Sequence, residues 1–237
     1  MNRRFTLLKE GMTAAWPICL GYVPIGLAFG VLARKAGLTP LEIGLMSLFV
    51  YAGSAQFIAV SMIGSGAAVV PIILTTFTVN LRHLLMSSAL AVHLRRLGIG
   101  PLSLYAYGVT DESFAVNIVR FREGGWNGLS ALALNQTANL VWIASTVVGG
   151  WGGQFIPAGA FGIDYALPAM FICLWVFQLR GGLYLIVAAC SGVLAVAFSL
   201  LFPGNAYIVM AAAAAATLGL RLQRRYGRER EESREGP

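Results

Sequence analysis

Charge is what this sequence has least of. Only 11% of its 237 residues are charged and 57% are apolar, where a soluble domain carries about 25% charged residues. A soluble globule of this length needs a polar shell that these residues cannot supply. A bilayer removes that need, so the chain reads as a polytopic membrane protein. Cysteine is scarce too. Cys19, Cys173 and Cys190 are odd in number, sit in apolar stretches and form no CxxC. That excludes a disulfide framework and a metal site and leaves three small buried hydrophobes. GxSxG, HExxH, P-loop and paired-aspartate motifs are absent, and no extramembrane stretch is long enough for a catalytic domain. Neither an enzyme nor a cofactor is expected. The net charge is +7, but the basic residues fall in short connections and tails. That is a topology signal and not a nucleic-acid surface.

What is present is a series of apolar stretches, each near the roughly 20 residues a spanning helix needs. They read as an all-α membrane bundle of about eight segments: Thr13–Ala33, Ile43–Ile63, Val69–His93, Leu102–Val119, Gly128–Gly149, Phe161–Gln178, Leu183–Phe202 and Asn205–Leu220. The basic start followed by Pro17, Gly21, Pro24 and Gly26 reads as a retained first segment and not a cleaved signal. Residues 1–222 form the membrane domain, and 223–237 a solvated cytoplasmic tail of mixed Arg and Glu. The sequon at Asn135 lies inside a segment, so glycosylation is not expected.

Basic residues occur at the N-terminus, at Arg34/Lys35, Arg95/Arg96, Arg120/Arg122, Arg180 and in the tail, while Gly64–Ala68, Gly150–Ala160 and Pro203–Gly204 carry none. If all eight segments span, two basic pairs fall outside the cell. If segments 1 and 4 are re-entrant, every basic loop and both termini are cytoplasmic. GYVPIG in segment 1 and YGVTDES in segment 4 are suited to breaking a helix. Two kinked full spans are the alternative. A shift of 87 residues brings Gly21 onto Gly108, Ala28 onto Ala115, Lys35 onto Arg122 and Gly37 onto Gly124. That pairs segments 1–3 with 4–6.

Ionisable groups inside the segments are few: Arg82, His83, Asp111, Glu112 and, near one end, Asp164. Each Arg or Asp at mid-membrane costs roughly 2.5–3.5 kcal/mol on insertion scales, so such groups face inward and pair. Arg82 with Asp111 or Glu112 is the natural pair. It is either a bridge that only holds the fold, or a site where Arg82 takes an anionic group while an acid takes a proton. His83 is a candidate relay or a packing residue. Thr110 is placed to cap a half-helix beginning at Asp111, and Pro24 suits the first turn of another. Two such N-termini inside the membrane attract carboxylates. Gln56, beside Gly53, Ser54 and Ala55, lines a path or packs tightly. Asn135, Gln136 and Asn139 form a polar stripe suited to hydrogen bonding between helices.

The blocks GYVPIGLAFG, YAGSAQF, NLRHLLMSSAL, YGVTDESFAV and DYALPAMF, in that order, resemble AzlC-type branched-chain amino acid exporters. The resemblance implies proton-coupled export of leucine, isoleucine or valine across a bacterial cytoplasmic membrane, with a small AzlD-type membrane subunit as partner. Its matching positions are Gly21, Pro24, Gly26, Gly53, Gln56, Asn80, Arg82 and Thr110 for substrate, with Asp111, Glu112 and His83 for the proton. Besides the amino acid and that subunit, the contacts expected are membrane lipids, and nucleic acid is not among them. A passive small-solute channel and a non-transporting assembly subunit are the alternatives.

Overall fold

In the computed structural model the described residues are 3–95, 97–155, 165, 169, 172, 176, 182–201, 210, 214, 215 and 217–221. They are almost all helical and contain no strand. Most of the sixth segment, Asp164 included, and the charged tail lie outside them. The chain forms two compact units, Met1–Leu167 and Pro168–Pro237. In the second, a helix over Gly182–Leu201 has Val187 against Gly219.

Helix α1 runs without a break over Arg3–Lys35, with Pro17 and Pro24 inside it. Segment 1 is therefore a full span, and Pro24 opens no half-helix. The reason is packing. Each proline removes one helical N–H, but α1 lies along α7 (Gly128–Gly152) over its whole length. Among the described residues three helices are long and apolar enough to cross a membrane: α1, α7 with the 3-10 turn that follows it, and α4 (Val69–Ala91). A Cβ at Gly30 would overlap the Thr146 carbonyl, and one at Gly149 the Leu27 carbonyl. Backbones in such contact gain dispersion that lipid tails cannot offer. Gly11 lies at Ser130, Gly26 at Ser145 and Val31 at Gly153, so α1 and α7 run parallel.

The second segment is the broken one. Helix α2 covers Pro40–Phe49. It starts from a capping box in which Thr39 and Glu42 bond each other's backbone N–H, with Pro40 next. Helix α3 covers Gly53–Gly64. Between them Tyr51 has φ of 36°, a left-handed conformation that costs a non-glycine residue on the order of 1–3 kcal/mol. Helices of 10 and 12 residues reach only about 15 and 18 Å, short of a ~30 Å hydrocarbon core. They form a hairpin that returns to its own side. Ile43 meets Gly150 and Ser47 meets Thr146, so α2 runs against α7. Phe57 meets Phe29 and Gly64 faces Ala36, so α3 runs back along α1 to the end where α1 finishes.

The fourth segment is broken as expected, into α5 (Ile99–Tyr107) and α6 (Asp111–Glu123), with Thr110 as N-cap of α6. This hairpin enters from the opposite end. Leu97 lies at Gly128, and Leu104, Tyr105 and Tyr107 bond Gln136, Asn135 and Asn139, so α5 rises beside α7. Helix α6 then descends past Tyr22 towards Glu10 and Lys9 on α1. The Asn135 and Gln136 amides donate to the carbonyls of Tyr105 and Leu104 at 3.2 and 3.1 Å. Both carbonyls lie in the last turn of a helix ending at membrane depth, where they otherwise share the single Gly108 N–H. The polar stripe of α7 is what makes the break possible. An apolar cluster of Leu90, Leu94, Tyr105, Val109 and Ala131 fills the space beneath the hairpin.

Helix α4 leads from α3 to the other end, where His93 stacks on Phe121 of α6 at 4.9 Å. Hairpin plus span therefore occurs twice, α2–α3–α4 and α5–α6–α7, with opposite orientations. Corresponding elements start 59 residues apart in both cases (40 to 99, 69 to 128). This inverted repeat replaces the 87-residue pairing, which set a continuous helix against a broken one. Arg3, Arg4, Lys9, Arg95, Arg120 and Arg122 gather at one end; Arg34 and Lys35 join the uncharged Gly64–Ala68 connection at the other. With cysteine placed singly at Lys35, Gly66 and Arg122, an impermeant thiol reagent is expected to label the first two from one side and the third from the other. Labelling of Lys35 and Gly66 positions from opposite sides would show α2–α3 to be a span.

Candidate functional site

The two hairpin tips meet halfway along α1 and α7. The Tyr107 hydroxyl donates to the Leu48 carbonyl, and the rings of Tyr51 and Tyr107 are 5.9 Å apart. Each tip presents the N-terminus of its second helix. That of α3 has no side-chain cap, so its first N–H groups keep their partial positive charge. That of α6 is closed by Thr110, whose hydroxyl accepts from the Ser113 N–H at 3.3 Å while the Ser113 hydroxyl accepts from the Thr110 N–H at 2.9 Å. Asp111 and Glu112 occupy its first turn.

Arg82, near the middle of α4, joins the two tips. One guanidinium nitrogen pairs with Asp111 Oδ2 at 2.8 Å, and the other donates to the Ser54 hydroxyl at the start of α3. The Arg82 and Asp111 side chains remain 31% and 35% exposed. That exposure distinguishes an accessible bridge from a sealed one, because a pair that protein does not cover on every side is free to exchange partners. The Tyr22 hydroxyl lies 2.8 Å from both Glu112 Oε2 and Thr110 Oγ1. With one proton to give, it donates to the carboxylate and accepts from the threonine. Polar capacity is left over: Arg82 Nε, Asn80 Oδ1, Thr76 Oγ1 and the Tyr51 hydroxyl are buried without a hydrogen-bond partner. Such atoms cost roughly 1–3 kcal/mol each unless something binds them. Among the described residues no cluster of His, Cys, Asp and Glu is placed to hold a metal.

Of the residues singled out in the sequence, Arg82, Thr110, Asp111 and Glu112 come together, with Asn80 and His83 beside Arg82 on α4. His83 has no hydrogen-bond partner among the described residues. Gln56 is fully buried and its amide is committed: it donates to Ser47 at 3.0 Å and accepts from the Trp142 indole at 2.9 Å, and Ser47 bonds Thr146 at 2.8 Å. Gly53 lies behind it, where a Cβ would be 3.2 Å from the Trp142 ring. These two shape the α3 tip from the rear. Gly26 packs α1 on Ser145, and Gly21 and Pro24 are on exposed faces of α1. Tyr22, Ser54 and Tyr51 were missed. The available signal was a tyrosine in mid-segment, away from the interfacial belts where tyrosine usually sits.

The AzlC family model, described as AzlC protein, matches residues 17–156, which take in both hairpins and α4. "Inner membrane protein YgaZ" of Escherichia coli (strain K12) is 31% identical over 197 residues, covering 78% of this chain and 79% of that protein. "Branched-chain amino acid transport protein AzlC" of Bacillus subtilis (strain 168) is 28% identical over 219 residues, 89% of this chain and 84% of that one. An "Uncharacterized membrane protein" of Archaeoglobus fulgidus is 29% identical over 214 residues, 88% and 92% of the two chains. No solved structure matches.

Proposed function

This chain belongs to the AzlC family, and from that premise we propose that it is a secondary transporter, not an enzyme, exporting branched-chain amino acids against an inward proton movement. One observation carries the reading. Arg82 and Asp111 form a partly open ion pair at the meeting point of two half-helices that enter from opposite ends. Broken helices paired by an inverted repeat are how many transporters build a midplane site. The substrate carboxylate takes Arg82 and the uncapped N-terminus of α3; the ammonium takes Asp111 or Glu112. A proton arriving from outside neutralises that carboxylate and removes the ammonium's counter-charge. Amino acid and proton then compete for one group, which yields exchange and gives export its direction.

The excess of Arg and Lys at the basic end of the first unit supports a cytoplasmic position for that end, with the N-terminus on the cytoplasmic side of a bacterial cytoplasmic membrane. A small AzlD-type subunit completes the transporter. Labelled leucine loaded into proteoliposomes tests this, with and without that subunit and under an imposed pH gradient. Efflux that accelerates when the receiving side is acidified is expected. Flux indifferent to the gradient would indicate a passive channel, and no flux with either composition a non-transporting subunit.

A further inference from the structure

A groove of about 570 Å³ opens between α1 and α6 at the basic end, within the roughly 300–1,000 Å³ of small-molecule sites. Its rim carries both charge signs: Lys9 and Glu10 from α1, Arg120 from α6. Two of these are held in place. Ser130 donates to Glu10 Oε2 at 3.1 Å, and the Arg120 guanidinium lies over the Trp126 ring at 5.6 Å. Deeper in, Thr13, Pro17 and Val116 line the walls. Pro17 has no N–H, so the Thr13 carbonyl four residues before it lacks that helical donor and stays available as an acceptor. The same two helices continue to the ion-pair site. From Pro17 to Tyr22 is five residues of α1 and from Val116 to Glu112 four of α6, so about 6–8 Å of helix separates groove from site. Beyond it the Tyr22–Glu112 hydrogen bond ties α1 to α6.

Resting on the transport reading above, we propose that this groove is the entry vestibule for a zwitterionic amino acid, with Lys9 and Arg120 receiving its carboxylate, Glu10 and the Thr13 carbonyl its ammonium, and Tyr22–Glu112 as the gate beyond. Both charge signs at one rim suit a zwitterion, where an anionic lipid headgroup gains nothing from Glu10.

The test uses the full chain with its three native cysteines replaced by alanine, in vesicles that expose the basic end. Ala14→Cys and Val116→Cys are expected to react with a positively charged, impermeant methanethiosulfonate at least about tenfold faster than Leu20→Cys on the exposed apolar face of α1, and leucine slows the reaction. Lys9→Ala and Arg120→Ala raise the half-saturating leucine concentration about tenfold, equivalent to about 1.4 kcal/mol of binding, with the maximal rate within about twofold. Reaction as slow as at Leu20 would mean lipid fills the groove and would overturn the proposal, as would unchanged half-saturation in a protein that transports. Absence of leucine flux in the unsubstituted chain would instead count against the transport reading, and leucine that fails to slow the labelling would then remove the amino acid from the groove as well.

Discussion

Asp111→Asn is expected to abolish gradient-driven leucine efflux and leave the protein folded. Asparagine keeps an oxygen where Asp111 Oδ2 accepts from Arg82 at 2.8 Å and still starts a helix capped by Thr110. It cannot carry a negative charge or exchange a proton. The lost charge-assisted contact to a substrate ammonium is worth up to about 3 kcal/mol, a rate loss of roughly a hundredfold. The stability cost stays below the roughly 2.5–3.5 kcal/mol of an unpaired mid-membrane charge, because the asparagine oxygen still accepts from Arg82 and about a third of each side chain is open. Efflux under a pH gradient and thermal unfolding of the same preparation check both halves. A variant that pumps at the parent rate would remove Asp111 from the mechanism. One that fails to fold would make the pair a structural bridge.

Gly108→Leu is expected to have the opposite profile, loss of the fold itself. A Cβ at this position would stand 2.8 Å from Asn135 Cβ and 2.9 Å from Gln136 Nε2. Its φ of −82° is ordinary, so the constraint is space and not conformation. Pushing both amides away leaves the Leu104 and Tyr105 carbonyls to share the single Gly108 N–H at membrane depth, at about 1 kcal/mol for each hydrogen bond lost, on top of about 1–3 kcal/mol of overpacking. That total is a large share of a domain's stability of about 5–15 kcal/mol. Size-exclusion profiles and melting of the detergent-purified protein read the result. Gly100→Leu, on the outer part of the same helix with nothing within 4 Å, serves as control and is expected to purify normally. Equal melting of the two variants would show that the α7 amides do not hold the hairpin tip. Asn135→Leu, which removes one amide without adding bulk at Gly108, separates the hydrogen-bond loss from the crowding.

The break in the fourth segment was legible because it is written locally. Thr110 caps, Ser113 answers it three residues later, and two acids follow in the first turn. The pairing of Arg82 with Asp111 was legible for a different reason: an unpaired charge at that depth is so costly that few partners are available. The break in the second segment was not legible. Its tip, Tyr51-Ala52-Gly53-Ser54, has no proline and one glycine, whereas the first segment has two prolines and does not break.

By itself, then, the sequence determined the solvent this protein folds in, the helix start at Thr110 and the charged groups that must meet. Those follow from composition and from contacts within one turn. Only the tertiary structure decided which interrupted stretch becomes a hairpin and from which end it enters. Prolines in α1 are tolerated because α7 holds that helix by backbone contact; the turn at Tyr51 is packed by Trp142, which lies on Gly53 and bonds Gln56, and at Gly108 Asn135 and Gln136 donate to carbonyls of the turn before it. A residue's capacity to stop a helix is local. Whether it does so inside a membrane depends on distant neighbours that supply partners for the backbone groups it frees.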